Sequence, residues 1–273
     1  MSTQTRQHRI TVPEIKAKKG REKIVSLTAY NTWMAQLIDS VSDITIVGDS
    51  LGMVAYGFES TLPVTLDMMI YHGAAVVKGT QRTCVVVDMP FGTYQESPQQ
   101  AFRNCALVMQ KTGAQAVKLE GGKEIAPAVE FLVNRGIPIM SHIGLMPQHI
   151  YSMGGFKAQG MQEETARKLL QDAKILSESG AFSLLIEGTK EEVAREITSE
   201  ASIPTIGIGA SPACDGQVLV TEDLLGLFSD YTPSFVKKYA DIGTQIKSTV
   251  KQFSDEVRSQ EFPQLCHCFG VKK

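Results

Sequence analysis

The sequence predicts a (β/α)₈ barrel. Eight short β-rich runs recur along the chain, helical patterns separate them, and most of the runs are continuously apolar rather than alternating. Continuous apolar runs are expected of strands in a parallel sheet whose two faces are both covered. In chain order the runs are KIVSLTA (23–29), DITIVGD (43–49), CVVVDMP (84–90) and AVKLEG (116–121). They continue with IPIMSHIG (137–144), SLLIEG (183–188), PTIGIG (204–209) and a weaker QVLVT (217–221).

The helices between these runs are punctuated by capping residues. Ser97-Pro98 sets a capping hydroxyl before a proline at the first helical position, and Gly113 stands where a C-terminal glycine belongs. Ala166, Leu169, Leu170, Ala173 and Leu176 form one buried stripe of an amphipathic helix that stops near Gly180. A short helix is expected before the barrel, and Thr232-Pro233 is expected to open a long final helix over 232–259. No internal repeat, low-complexity tract or linker divides the 273 residues, so one barrel domain over 1–273 is expected. A doubly wound sheet is the rival fold, but it calls for a glycine-rich first turn. SLTAYN, after the first run, supplies none, and GIGAS at 207–211 is a lone fragment.

Composition narrows the function. Lys and Arg total 27 against 29 Asp and Glu, a net charge of −2, which gives no strong attraction to nucleic acid or membrane. No uninterrupted apolar run is long enough to cross a bilayer. The start, MSTQTRQHRI, lacks the apolar core of a secretory signal. The five cysteines are odd in number and mostly scattered, as reduced thiols in the cytoplasm would be. Cys266-His267-Cys268 lacks zinc-ligand spacing and has no second pair, so it reads as a loose tail.

In such a barrel the C-terminal ends of all strands open onto one face, where catalytic groups gather. Asp49 ends the second run, Asp88 the third, Glu120 the fourth and Glu187 the sixth, while His142 closes the fifth. Lys118 lies two residues before Glu120, on the same face of its strand. One acid after a strand is usually a turn residue, and Lys118 could simply neutralise a neighbour. Repetition at equivalent places points instead to a shared cleft. Converging carboxylates repel one another unless a cation or proton lies between them. A hard divalent ion such as Mg²⁺ meets that need with oxygen ligands, and no cysteine or histidine pair invites a softer metal. The segments 50–64 and 145–160 are long and contain glycine, as lids or binding loops do; the second could equally serve oligomer contacts.

VGDSLGM (47–53), STLPVT (60–65), DMPFG (88–92), KLEGG (118–122), HIGLMPQ (142–148), IEG (186–188) and IGIGA (206–210) occur in this order. Together they resemble the ketopantoate hydroxymethyltransferase family over roughly 23–263. The resemblance implies a TIM barrel of the phosphoenolpyruvate/pyruvate type and a Mg²⁺-dependent one-carbon transfer at the start of pantothenate biosynthesis. It implies that Asp49, Asp88 and Glu120 serve the metal. Asp49, Ser50, Asp88, Lys118 and His142 would meet the 2-oxo acid, and Glu187 would accept the proton. The substrates implied are 3-methyl-2-oxobutanoate and 5,10-methylenetetrahydrofolate, and the assembly implied is a homo-oligomer, a decamer. Asn31, Ser211 and the CHCFG tail depart from the family pattern. Two rivals remain: a lyase or mutase of the same superfold acting on a 2-oxo acid, and a non-catalytic folate- or metabolite-binding barrel. The lyases carry a cysteine in a KKCGH-like loop, which has no counterpart here, and a binding module has no use for a separate base.

Overall fold

A computed structural model describes residues 8–228 and 232–270; the ends of the expected domain, 1–7 and 271–273, lie outside the described residues. The chain divides into two compact units, one up to Val220 and one from Thr221. The barrel closes within the first. Its strands are β1 (Ile24–Thr28), β2 (Ile44–Val47), β3 (Cys84–Asp88), β4 (Ala116–Glu120), β5 (Ile139–Gly144), β6 (Ser183–Glu187), β7 (Thr205–Ile208) and β8 (Gly216–Leu219). Every neighbour is parallel, and β8 returns to β1. The strands are a little shorter than the apolar runs. Gly48 and Asp49 leave the ladder after β2, and Pro90, beyond β3, has no N–H to offer one.

The interior is layered. Ile24, Ile44, Ile46, Cys84, Val86, Met140, Leu185 and Ile206 fill it with apolar side chains. The short N-terminal helix Val12–Ala17, started by a capping box between Thr11 and Glu14, adds Ile15 to that cluster. Asp215 ties the chain after this helix to the sheet: it accepts from Lys19 Nζ at 2.8 Å, Gly20 N at 3.1 Å and Thr205 N at 2.9 Å. With the lower interior packed, chemistry is confined to the other end.

The outer helices follow the sequence signals. Ser97 accepts from Gln100 N at 3.1 Å to start the helix Pro98–Thr112, which ends at Gly113 with φ +76°. The helix Glu163–Glu178 buries Leu169, Ala173 and Leu176 of the expected stripe, while Ala166 and Leu170 are half-buried.

The second unit holds the short helix Thr221–Leu224 and the helix Ile242–Arg258. The expected helical start at Thr232 is corrected: residues 232–241 are turns and irregular chain. Asp241 accepts from Thr244 N at 3.3 Å and so begins the helix there. No helix among the described residues is long and apolar enough to cross a membrane.

Candidate active site

The ladder register brings the charged groups together. Across the parallel sheet Asp88 lies beside Lys118, Glu120 beside His142, and Gly144 beside Glu187. Register neighbours project to the same side of a sheet, here into the barrel's C-terminal mouth. Lys118 Nζ is 3.0 Å from Asp88 Oδ2, 3.5 Å from Glu120 Oε1 and 3.2 Å from His142 Nδ1. His142 links two acids. Its Nδ1 is 3.3 Å from Glu120 Oε1, and its Nε2 is 3.4 Å from Glu187 Oε2, too far off line for a hydrogen bond. Asp49, beyond β2, joins through its backbone N–H, which donates to Asp88 Oδ2 at 3.1 Å.

Two glycines make room for this. A Cβ on Gly48 would sit 2.6 Å from Ser50 Oγ and 3.6 Å from Asp88 Oδ2, so glycine lets Ser50 fold back beside the acids. Ser50 Oγ is also 2.8 Å from the Tyr30 hydroxyl. Gly144 has φ +94°, and a Cβ there would lie 2.2 Å from the Glu187 carbonyl oxygen, so glycine allows β5 to approach the backbone of the expected base.

All seven residues singled out in the sequence line this one mouth. Six, namely Asp49, Asp88, Lys118, Glu120, His142 and Glu187, form the charged cluster, with Ser50 at its edge. Sequence reasoning missed Tyr94 and Gln148. The Tyr94 hydroxyl donates to Gln148 Oε1 at 2.7 Å and lies 2.9 Å from the Glu120 carbonyl, and it accepts from Glu120 N at 3.1 Å. Gln148 reaches Asp49 Oδ2 at 2.8 Å from the long segment after β5. Its place in HIGLMPQ is the signal that could have found it.

The electrostatics are those of a site under strain. Asp49 is held up to about 8, first by burial and then by the charges of Glu120 and Asp88. Burial also raises Asp88, against the pull of Lys118. Burial would raise Glu120 as well, but Lys118 and His142 outweigh it and bring it down to about 2. His142 rises to about 9, because Glu120 and Glu187 overcome burial and the repulsion of Lys118. Buried charges at this density are a poor way to stabilise a fold, since desolvation rivals the attraction gained. Such clusters mark functional sites.

The acids suit a hard cation. Among the described residues Asp88 Oδ1 is a buried carboxylate oxygen without a hydrogen-bond partner. Asp49 Oδ1 makes no hydrogen bond among the described residues. Glu120, by contrast, has both oxygens engaged. Among the described residues no three His, Cys, Asp or Glu side chains are arranged to enclose an ion. Mg²⁺ does not require such an enclosure, since one or two carboxylates with water and substrate oxygens satisfy it.

The fold and the charged mouth define a barrel enzyme whose strand ends carry its chemistry. Among solved structures, 2,3-dimethylmalate lyase, a PEP mutase/isocitrate lyase superfamily member, shares the fold with a TM-score of 0.58 at 15% identity, covering 94% of this chain and 88% of that one. The family model for ketopantoate hydroxymethyltransferase matches residues 9–265, and the chain belongs to that family. The 3-methyl-2-oxobutanoate hydroxymethyltransferase 1 of Hahella chejuensis is 59% identical over 273 residues, covering 100% of this chain and 98% of that protein. The 3-methyl-2-oxobutanoate hydroxymethyltransferase of Paramagnetospirillum magneticum is 58% identical, with 100% of both chains covered.

Proposed function

We propose that this enzyme transfers a hydroxymethyl group from 5,10-methylenetetrahydrofolate to 3-methyl-2-oxobutanoate with the help of Mg²⁺, giving 2-dehydropantoate. The observation that carries the reading is the pairing of the unpartnered Asp88 Oδ1, beside Asp49, with a separate carboxylate, Glu187, across His142. Asp49 and Asp88 would hold the ion, with Glu120 completing the acidic set. Bound Mg²⁺ supplies Lewis-acid polarisation of the substrate's keto group. Lys118 and Ser50 hold the substrate carboxylate. Glu187 takes the proton from C3 as general base, and His142 steadies the Glu187 carboxylate. The C3 carbanion equivalent forms a bond to the methylene carbon of the folate, and both bonds from that carbon to folate nitrogens break. Water supplies the hydroxyl oxygen, and the two nitrogens take up the C3 proton and one proton of the water. Tetrahydrofolate leaves.

The test is an assay of tetrahydrofolate release from the purified protein. Turnover is expected to require both substrates and to stop when EDTA removes the metal. Turnover that survives EDTA would overturn the role of Mg²⁺, and no turnover with Mg²⁺ present would overturn the reaction.

The same reading carries a cytoplasmic homo-oligomer, a decamer. Five free cysteines support the compartment. The helix Ile242–Arg258 buries none of its residues and exposes Ile246, Val250, Phe253 and Val257 along one stripe, which supports association. Sedimentation velocity at micromolar concentration should give one species near the mass of ten protomers, and a monomer would refute it.

A further inference from the structure

Gln148 is 3% exposed and lies on the single turn Pro147–His149 that follows β5. Its side-chain nitrogen donates to Asp49 Oδ2 at 2.8 Å and to the Met89 carbonyl at 2.9 Å. Its side-chain oxygen accepts from the Tyr94 hydroxyl at 2.7 Å and from Gln95 Nε2 at 3.2 Å. Its backbone N–H donates to Glu120 Oε2 at 3.1 Å. The amide has one orientation available, since turning it over would set its oxygen against a carboxylate and a carbonyl and its nitrogen against the Gln95 donor.

The consequence lies in which carboxylate oxygens remain free. Gln148 occupies Oδ2 of Asp49 and Oε2 of Glu120. Lys118 and His142 hold Oε1 of Glu120, while Lys118 and the Asp49 N–H hold Oδ2 of Asp88. One oxygen on each of two aspartates is left over, Oδ1 of Asp49 and Oδ1 of Asp88. A loop that needed only anchoring could bond to backbone. This one is bonded to two carboxylates of the proposed acidic set, Asp49 and Glu120.

We propose that Gln148, held by Tyr94, is a positioning residue that turns Asp49 Oδ1 toward the ion and ties the 145–160 segment to metal affinity. The inference rests on the Mg²⁺ reading above. Neighbours that orient metal-binding groups are typically worth about 10–100-fold in metal affinity.

The test uses Mn²⁺ as a spectroscopic probe, with free Mn²⁺ measured by electron paramagnetic resonance in the presence of 3-methyl-2-oxobutanoate. Gln148→Met keeps the length of the side chain and removes its hydrogen bonds. It is expected to weaken Mn²⁺ binding by about 10–100-fold, with a cooperative melt retained. The Mg²⁺ concentration needed for half-maximal rate should rise with it, while kcat at saturating Mg²⁺ changes little, a split that a general loss of structure would not give. Tyr94→Phe should weaken Mn²⁺ binding in the same direction, and the double variant should be no worse than Gln148→Met alone, because both act through one amide. Folded Gln148→Met with wild-type Mn²⁺ affinity would overturn the proposal. If that variant does not fold, wild-type affinity in Tyr94→Phe would do the same. Wild-type protein that binds no Mn²⁺ would overturn the metal reading and this inference together.

Discussion

Glu187→Gln is expected to lower turnover by ~10²–10⁴-fold, the contribution of a positioned general base, and to leave Mg²⁺ and 2-oxo acid binding close to wild type. Glutamine keeps the size of the side chain but cannot accept a proton. Glu187 is the acid best placed to be spared by the metal: its side chain is 19% exposed, against 4% for Asp88 and 1% for Glu120, and its charged neighbour is His142. An interaction needed mainly in the transition state shows in kcat more than in binding. The decisive measurement omits folate. In D₂O with Mg²⁺, the wild-type enzyme should wash deuterium into C3 of 3-methyl-2-oxobutanoate, because proton removal needs no one-carbon donor. The glutamine variant should not. Exchange at the wild-type rate would move the role of base to another group, and His142, 3.4 Å away, would be the first to examine.

The acids of this site were legible because each ends an apolar run, where a barrel exposes its chemistry. Lys118 and Glu120 were legible as a pair because alternate residues of one strand share a face. What could not be read was contact made by loops. Gln148 meets Asp49 across 99 positions of sequence, and Tyr94 meets Glu120 across 26, with no periodicity linking either pair. His142 was visible as a strand end, but its bridging of Glu120 and Glu187 depends on register across β4, β5 and β6, which apolar runs alone do not set. The final helix starts later than the sequence around Thr232 suggests. Thr232-Pro233 carries an N-terminal signal and Phe235, Val236 and Tyr239 a helical spacing, yet the cap that operates is Asp241.

Lys118→Met tests the electrostatic argument directly. Lys118 is 5% exposed and lies within 3.5 Å of two carboxylates, so its removal leaves Asp88 and Glu120 facing each other and Asp49 with His142 as the remaining cation. Breaking a buried pair by deleting one partner costs about 3–5 kcal/mol. At roughly 2–4 °C per kcal/mol for a protein near this size, the ligand-free variant should melt about 6–20 °C below wild type at pH 8. The sign with pH follows from the carboxylates. Burial and mutual repulsion already hold Asp49 at about 8, well above its ordinary value, with Lys118 pulling it down. Without Lys118 it rises further, Asp88 rises with it, and Glu120 loses its main source of depression. An acid whose pKa is raised by folding does not destabilise below its unfolded value, near 4, and destabilises increasingly as pH climbs toward the folded value. The gap between variant and wild type should therefore narrow at pH 5 and widen at pH 8. Scanning calorimetry without metal at the two pH values measures it. Equal melting temperatures at pH 8 would mean that the carboxylates carry little charge even with the lysine present, and the case for a cation among them would fall with that result.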